Sequence, residues 1–224
     1  MWISNSPLAD VAVVWAKAEN TEGRIHGLLV ERGMEGFSTP TTHGKLSLRA
    51  SPTGELVFDN VKVPKANRVG DDGFGFTFAM KTLAGGRIGI ASQALGIASG
   101  AYELAKEYSK TRKAFGTEIM NHQIIAFKLA DMATKIEAAR LLCQKAAWEK
   151  DNKIDYTVSS SMAKVFASET AMWTTVEAVQ IHGGYGFVKE YHVERLMRDA
   201  KITQIYEGTS EVQRIVISRS ILKG

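Results

Sequence analysis

The sequence predicts an α+β protein that is mostly helical, with antiparallel β structure over residues 1–66 and an antiparallel bundle of the four-helix type over residues 67–224. Two observations predict this fold. Short β-rich runs separated by turn residues fill the first part, whereas apolar residues recur with the helical period of about 3.6 in the second part. The pattern changes once, near residues 64–75, so we predict two domains.

The β part contains two clear runs, residues 11–16 (VAVVWA) and 25–30 (IHGLLV). Residues 19–23 (ENTEG) separate them and are typical of a hairpin turn. Strand character continues through residues 56–63 up to Pro64. These features predict antiparallel pairing.

The helical part contains three stripes in which apolar or small residues recur in steps of four and three, with one step of seven in the third stripe. Their members are Ile90, Ala94, Ile97, Ala101, Leu104 and Tyr108; Ile125, Leu129, Met132, Ile136, Ala139, Cys143 and Ala146; and Val158, Met162, Val165, Met172, Val176 and Val179. Such stripes, followed by shorter helices, are typical of an antiparallel bundle. Core packing is the preferred interpretation of every member.

Charge and cysteine content exclude several classes of function. The net charge is +4, and its 28 basic and 24 acidic residues are spread along the chain, which predicts neither nucleic-acid nor membrane partners. Cys143 is the only cysteine, so an intramolecular disulfide and a cysteine-based metal site are excluded. The five histidines are scattered, and we predict no metal. A reducing compartment is expected, namely the cytoplasm, or the mitochondrial matrix in a eukaryote.

Four stretches are not explained by a bundle alone. Residues 85–87 (GGR) are predicted to interrupt the first helix, at about 1 kcal/mol per glycine. Residues 112–116 (RKAFG) separate two long helices, with Gln123 in the next one, and Arg112 could simply face solvent. Residues 180–186 (QIHGGYG) contain three glycines where a helix C-cap needs one, and the surplus suggests a ligand against bare backbone.

The fourth stretch is residues 204–214 (QIYEGTSEVQR), in which Glu207 precedes a glycine between two helical segments. Two roles are open for Glu207 from the residues alone. It could cap the last helix, or it could act as a base.

Five segments, in order, resemble the C-terminal part of the flavin-dependent acyl-CoA dehydrogenases. They are MWISN, KLSLRASPTGELVFDNVKVP, RKAFG with Gln123, IHGGYGFVKEYHVERLMRDAK and IYEGTSEVQR. The helical half resembles short-chain, butyryl-type members, whereas the β half, especially GKLSLRAS, is closer to glutaryl-type members. A complete member begins with a helical domain and further strands, so the resemblance implies a partial middle β domain here.

The resemblance implies a reaction. Glu207 would remove the α proton of an acyl-CoA, FAD would accept the β hydride, and trans-2-enoyl-CoA and electrons for an electron-transferring flavoprotein would result. Other family members carry their base immediately before the arginine that matches Arg87. That position is Gly86 in this chain, which favours Glu207 as the base and a short-, medium- or glutaryl-type site.

The resemblance also implies binding residues. The FAD contacts would be Trp2, Ile3, Ser4, Arg112, Phe115, Gln123, Gln180, Ile181, His182, Gly183, Gly184, Thr209, Ser210 and Glu211. The acyl-CoA contacts would be Ala84, Gly85, Gly86, Arg87 and Gly208, although short-chain members usually carry aspartate at the position of Ala84. FAD would lie between subunits of a homotetramer formed through the bundles. The alternative function is a non-catalytic, truncated helical assembly subunit of the same family.

Overall fold

The computed structural model describes residues 1–19, 23–71 and 73–223. The chain divides into two compact units, Met1–Thr82 and Leu83–Gly224. Small antiparallel sheets occupy the first unit and long helices dominate the second, so the predicted α+β, mostly helical class is confirmed.

The described residues of the first unit form seven short strands, and these pair in antiparallel fashion. They are β1 (Ile3–Ser4), β2 (Val11–Lys17), β3 (Ile25–Glu31), β4 (Phe37–Ser38), β5 (Thr53–Gly54), β6 (Val57–Phe58) and β7 (Arg68–Val69). The sheets have the orders β2-β3-β7, β1-β5 and β4-β6. Strand β3 is central and buries Val30, whereas β2 alternates exposed and half-buried residues, as expected for one solvated face.

The strand predicted at residues 56–63 is shorter in the structure. Val57–Phe58 pairs with β4, and residues 59–64 have no strand partner among the described residues. The predicted turn at residues 19–23 includes residues 20–22, which lie outside the described residues.

The helices are α1 (Gly75–Thr111), α2 (Gln123–Asp151), α3 (Thr157–His182), α4 (Val193–Thr203) and α5 (Ser210–Ile221). A small hairpin of β8 (Lys113–Ala114) and β9 (Thr117–Glu118) joins α1 to α2. The predicted interruption at residues 85–87 is wrong, because α1 continues through both glycines. The bundle packing of a helix this long outweighs the low helix propensity of two residues.

The bundle core is built largely from alanines. Its central cluster is Ala91, Ala94, Ala98, Ile136, Ala139, Cys143, Ala146, Ala163, Ala167, Ala171 and Ala200. The predicted stripe of α2 matches the buried face. On α3 the prediction is confirmed for Met172 and Val179, which are half-buried against the core, and is wrong for Val176, which is 43% exposed. The fully buried face of α3 carries mainly alanine, serine and threonine. Small side chains at a contact allow helix axes to approach closely.

Among the residues that the structure describes, no helix combines the length and the apolar character needed to cross a membrane. Within the same residues, histidine, cysteine, aspartate and glutamate form no group that could hold a metal ion.

Candidate active site

Glu207 lies in the turn that joins α4 to α5. The backbone N–H of Ser210 donates to the carbonyl of Gln204 at 3.0 Å and closes this turn. Within it, Glu207 has φ of 54° and Gly208 has φ of 86°. The left-handed conformation costs a residue with a side chain about 1–2 kcal/mol. The fold therefore holds Glu207 in a backbone conformation that is intrinsically unfavourable for a glutamate.

Thr209, and not Glu207, is the N-cap of α5. Its backbone is extended, and its Oγ1 accepts a hydrogen bond from the Val212 N–H at 3.3 Å. The capping interpretation of Glu207 is therefore wrong, because an N-cap residue is the one whose side chain satisfies the first free amides.

The Glu207 side chain is half-buried and lies against helix α1 at Gly86. A Cβ added to Gly86 would stand 2.9 Å from Cδ and 3.5 Å from Oε1 of Glu207, and closer still to Oε2. Real Cβ atoms do not approach other heavy atoms below 3.0 Å. The carboxylate thus fills the space that any side chain at residue 86 would occupy.

Arg87 is buried beside this carboxylate. Its guanidinium donates to Ser161 Oγ at 3.2 Å, and within the described chain its Nε has no hydrogen-bond partner. Burial lowers the pKa of Arg87, and the negative charge of Glu207 partly offsets that effect. Arg87 therefore presents a cation and a free donor next to Glu207.

Two further buried residues hold the turn, and sequence reasoning missed both. Lys164 on α3 is fully buried and donates from Nζ to the Gly208 carbonyl at 2.7 Å. Gln213 on α5 is also fully buried and donates from Nε2 to the carbonyls of Glu207 at 3.1 Å and Gly208 at 2.9 Å. Burial lowers the pKa of Lys164 to about 8.

The other predicted acyl-CoA contacts lie on the same stretch of α1. Ala84 is buried and Gly85 is half-buried, and a Cβ at Gly85 would stand 3.5 Å from Lys150 Nζ. The structure thus brings Glu207 and Gly208 against Gly86 and Arg87, with Ala84 and Gly85 in the preceding turn.

A separate cavity of about 530 Å³ collects five of the predicted FAD residues. Its lining includes Arg112, Ile181, His182, Gly183, Gly184, Tyr108 and Tyr185. The Arg112 guanidinium lies 5.5 Å from the centre of the Tyr185 ring, and the rings of Tyr108 and His182 stack at 4.3 Å. An aromatic floor beside an arginine can hold a flat, anionic ligand.

The structural reason for a glycine differs among the three glycines of residues 183–186. Gly183 is the C-cap of α3, and its φ of 60° is a backbone conformation that favours glycine. Gly186 is explained by packing alone, because a Cβ there would collide with the backbone of Val179. Gly184 has open space around its Cβ position and is the glycine that fold geometry leaves unexplained.

The remaining FAD predictions lie elsewhere. Phe115, Gln123 and Gln180 are exposed and do not line the cavity, with Phe115 97% exposed at the hairpin tip. Thr209, Ser210 and Glu211 form the start of α5, where Ser210 Oγ is buried with no hydrogen-bond partner in the described chain. Trp2, Ile3 and Ser4 lie in the first unit, where β1 pairs with β5 and Trp2 is 67% exposed.

Comparisons with known proteins follow the same division of the chain. The family described as "Acyl-CoA dehydrogenase, middle domain" matches residues 1–61, and "Acyl-CoA dehydrogenase, C-terminal domain" matches residues 73–222. The short-chain specific acyl-CoA dehydrogenase of Clostridium acetobutylicum is 50% identical over 225 residues, covering 100% of this chain and 59% of the relative. The subunit CarC of the caffeyl-CoA reductase-Etf complex of Acetobacterium woodii is 48% identical over 224 residues, covering 99% and 59%.

Solved structures give the same result. Butyryl-CoA dehydrogenase from Megasphaera elsdenii matches with a TM-score of 0.96 and 50% identity, over 99% of this chain and 58% of that one. A glutaryl-CoA dehydrogenase from Mycobacterium smegmatis, solved in complex with FADH2, matches with a TM-score of 0.94 and 33% identity, over 100% and 57%. The chain spans less than two thirds of each of these proteins.

Proposed function

Because the chain belongs to the acyl-CoA dehydrogenase family, we propose that it dehydrogenates an acyl-CoA thioester to trans-2-enoyl-CoA, with FAD as cofactor and Glu207 as the base. The observation that carries this proposal is the position of the Glu207 carboxylate. It is held by a left-handed turn against the bare helix at Gly86, beside the buried cation of Arg87.

The residues of the chain supply the proton chemistry. The Glu207 carboxylate takes the proton from the α carbon as that C–H bond breaks. The electron pair of the broken C–H bond becomes part of the new α,β double bond. Arg87 on α1 and Lys164 on α3 both attract the carboxylate by their charge and help to hold it in place. When bound, FAD supplies the acceptor for the hydride that leaves the β carbon.

The cavity at Arg112 supports the FAD assignment. A guanidinium can bind phosphate oxygens through paired donors, and the bare backbone of Gly183 and Gly184 lets a ligand approach. We therefore propose that Arg112 and residues 181–184 bind the phosphate or adenosine portion of FAD. Trp2, Ile3 and Ser4 are proposed to contact its flavin portion, with Phe115, Gln123, Gln180 and residues 209–211 as further contacts.

We propose a short-chain acyl-CoA as substrate, contacted by residues 84–87 and Gly208. The 50% identity with butyryl-type proteins exceeds the 33% identity with a glutaryl-type protein, which supports this choice.

Electron-transferring flavoprotein is the proposed electron acceptor, since a relative of 48% identity is a subunit of an Etf complex. Fatty acid β-oxidation would use this reaction.

An exposed apolar face of α2 supports the proposed homotetramer. Ile124, Phe127, Leu141 and Trp148 are 58–64% exposed, and the last three are spaced by multiples of seven, on one side of the helix. Such surfaces mark protein interfaces. We propose that the bundles associate through this face and that FAD is bound between subunits.

The proposed domains are residues 1–66, as the C-terminal part of the middle β domain, and residues 67–224, as the helical-bundle domain. The family matches at residues 1–61 and 73–222 support a boundary between them.

Cys143 is a buried free thiol, which supports a reducing compartment such as the cytoplasm, or the mitochondrial matrix in a eukaryote.

The test is turnover of butyryl-CoA by the purified protein with added FAD and an artificial electron acceptor, with glutaryl-CoA in parallel. Glu207→Gln should abolish enoyl-CoA formation while FAD and acyl-CoA still bind, because the amide keeps the shape but is not basic. Glu103→Gln, which changes an exposed α1 carboxylate that pairs with Lys106, is the matched control and should keep full activity. A colourless parent protein that retains no FAD would favour the non-catalytic assembly subunit.

A further inference from the structure

Lys164 is the largest side chain that the described residues bury completely. It lies on α3, and the charged groups that act on it are Glu207 in the turn, Glu211 on α5 and Arg87 on α1. Neither carboxylate lies within ion-pair distance of its ammonium group in the described chain. Burying a lysine without such a partner is costly, so this position is expected to have a specific use.

Within the part of the chain that the structure describes, the one hydrogen-bond partner of the ammonium group is a backbone oxygen. Lys164 Nζ donates to the carbonyl of Gly208 at 2.7 Å, a short, charge-assisted hydrogen bond. This carbonyl immediately follows Glu207 and belongs to the second of two successive left-handed residues. Lys164 therefore acts on the backbone that carries the proposed base.

Gln213 acts on the same backbone from the other side. Its Nε2 donates to the carbonyls of both Glu207 and Gly208, so the Gly208 oxygen accepts from two buried donors on two different helices. A Cβ added to Gly208 would stand 2.6 Å from Gln213 Nε2, which shows how closely the amide packs on the turn. Two donors that converge on the Gly208 carbonyl fix its direction, and the bond from Gln213 to the Glu207 carbonyl fixes the peptide between Glu207 and Gly208.

We propose that Lys164 and Gln213 are positioning residues that hold the Glu207–Gly208 turn and thereby aim the Glu207 carboxylate at its place beside Gly86. This inference rests on the proposed function for its catalytic consequence, whereas the clamp itself concerns only the turn. Neither residue touches the reacting atoms. The left-handed conformation of Glu207 is intrinsically unfavourable, so the turn should relax when a donor is removed.

The test uses Lys164→Met and Gln213→Met, which keep much of the side-chain volume but remove the donors. Lys128→Met is the matched control, because that lysine pairs with Glu177 between α2 and α3, away from the turn. Hydrogen exchange should become about tenfold faster at the amides of residues 204–213 in both variants and stay unchanged in the rest of the bundle. The Ser210 amide is the most direct reporter, since it closes the turn on Gln204.

Turnover supplies the second readout. If the clamp aims the base, kcat for butyryl-CoA should fall by about 10²-fold in each variant, because an error near 1 Å in a catalytic group costs that much, and KM should change little. The two substitutions act on one carbonyl, so the double variant should lose much less than the product of the two single effects.

The two proposals fail in different ways. A parent protein without turnover, in which Lys164→Met still speeds exchange only at residues 204–213, would leave the clamp standing and overturn the dehydrogenase function. An active parent whose Lys164→Met and Gln213→Met variants keep both kcat and local exchange would overturn the clamp. Faster exchange spread evenly over all helices would also overturn it, because Lys164 would then be an ordinary part of the core.

Discussion

Glu207 occupies the space that a side chain at Gly86 would need. A Cβ at Gly86 would approach Glu207 Cδ to 2.9 Å, a separation that real structures do not show. A base can therefore stand at one of these two positions but not at both without rearrangement. The absence of a side chain at residue 86 and the presence of a carboxylate at residue 207 are parts of one arrangement.

The first prediction follows from this exclusion. Gly86→Ala should displace the Glu207 carboxylate and lower kcat by about 10²-fold, because the added methyl group collides with the carboxyl. Gly89→Ala is the control, since it lies on the same helix with nothing within 4 Å of its Cβ position. It should keep full activity and raise the free energy of unfolding by up to about 1 kcal/mol. Equal kcat in the two variants would contradict the arrangement.

The buried face of a helix could be predicted where its apolar residues, large and small, recur together at the helical period. On α2, large and small apolar residues share one face, and the predicted stripe from Ile125 to Ala146 is half-buried at its first two members and buried from Met132 onward. On α3 the rule holds only in part, because the close-packed face uses alanine, serine and threonine, Met172 and Val179 are only half-buried against the core, and Val176 is exposed. A stripe of small polar residues resembles a solvated surface in the sequence, so hydrophobicity alone does not select the fully buried face.

The site was predictable only in part. Glu207 and Gly86 could be identified from the family motif, but a left-handed glutamate has no signal in sequence, since such backbone is expected at glycine or asparagine. Lys164 was missed because a lysine in a helical segment is normally assigned to solvent. Gln213 lies in the same motif as Glu207, six residues further along the chain. This short separation was the one sign in the sequence that Gln213 contacts the Glu207 turn.

The second prediction concerns the cavity at Arg112. Arg112→Ala should release FAD during gel filtration while leaving the thermal unfolding midpoint nearly unchanged, because this arginine is exposed and contributes little to the core. Arg140→Ala, which removes an exposed α2 arginine paired with Glu137, is the control and should retain FAD like the parent. Flavin absorbance per protein reports the result. Equal flavin content in both variants would show that Arg112 is a solvated surface residue that does not bind FAD.

The third prediction separates backbone strain from packing at Gly208. Gly208 and Gly116 have nearly the same φ, 86° and 85°, but only Gly208 has neighbours that an added Cβ would meet. Gly116→Ala should lower the free energy of unfolding by about 1–2 kcal/mol from strain alone. Gly208→Ala should lose a further 1–3 kcal/mol, approximately, because the methyl group overpacks the Gln213 amide. Urea unfolding measures both, and equal losses would mean that Gln213 moves freely.

The last prediction is a pH dependence of stability caused by Lys164. Burial is the main cause that lowers its pKa to about 8, with Arg87 acting in the same direction and Glu211 and Glu207 opposing. In the unfolded chain the ordinary value near 10.5 applies. Between about pH 8 and pH 10.5 the unfolded state therefore binds a proton that the native state has released, so this group makes stability rise with pH. Below pH 8 the unfavourable effect of the buried charge is fully present and constant.

Lys164→Met removes this effect at every pH. The free energy of unfolding of the variant minus that of the parent should therefore be larger at pH 7 than at pH 9.5, whatever constant offset the lost hydrogen bond to Gly208 adds. Urea unfolding followed by circular dichroism at both pH values gives the difference, in which the titration of all other groups cancels to first order. Lys128→Met should show no comparable change between the two pH values, because Lys128 pairs with Glu177 between α2 and α3, away from Lys164 and the turn. A Lys164→Met difference that is equal at pH 7 and pH 9.5 would show that Lys164 does not titrate in this range, and that its ammonium group is stabilised more strongly than the hydrogen bond to Gly208 accounts for.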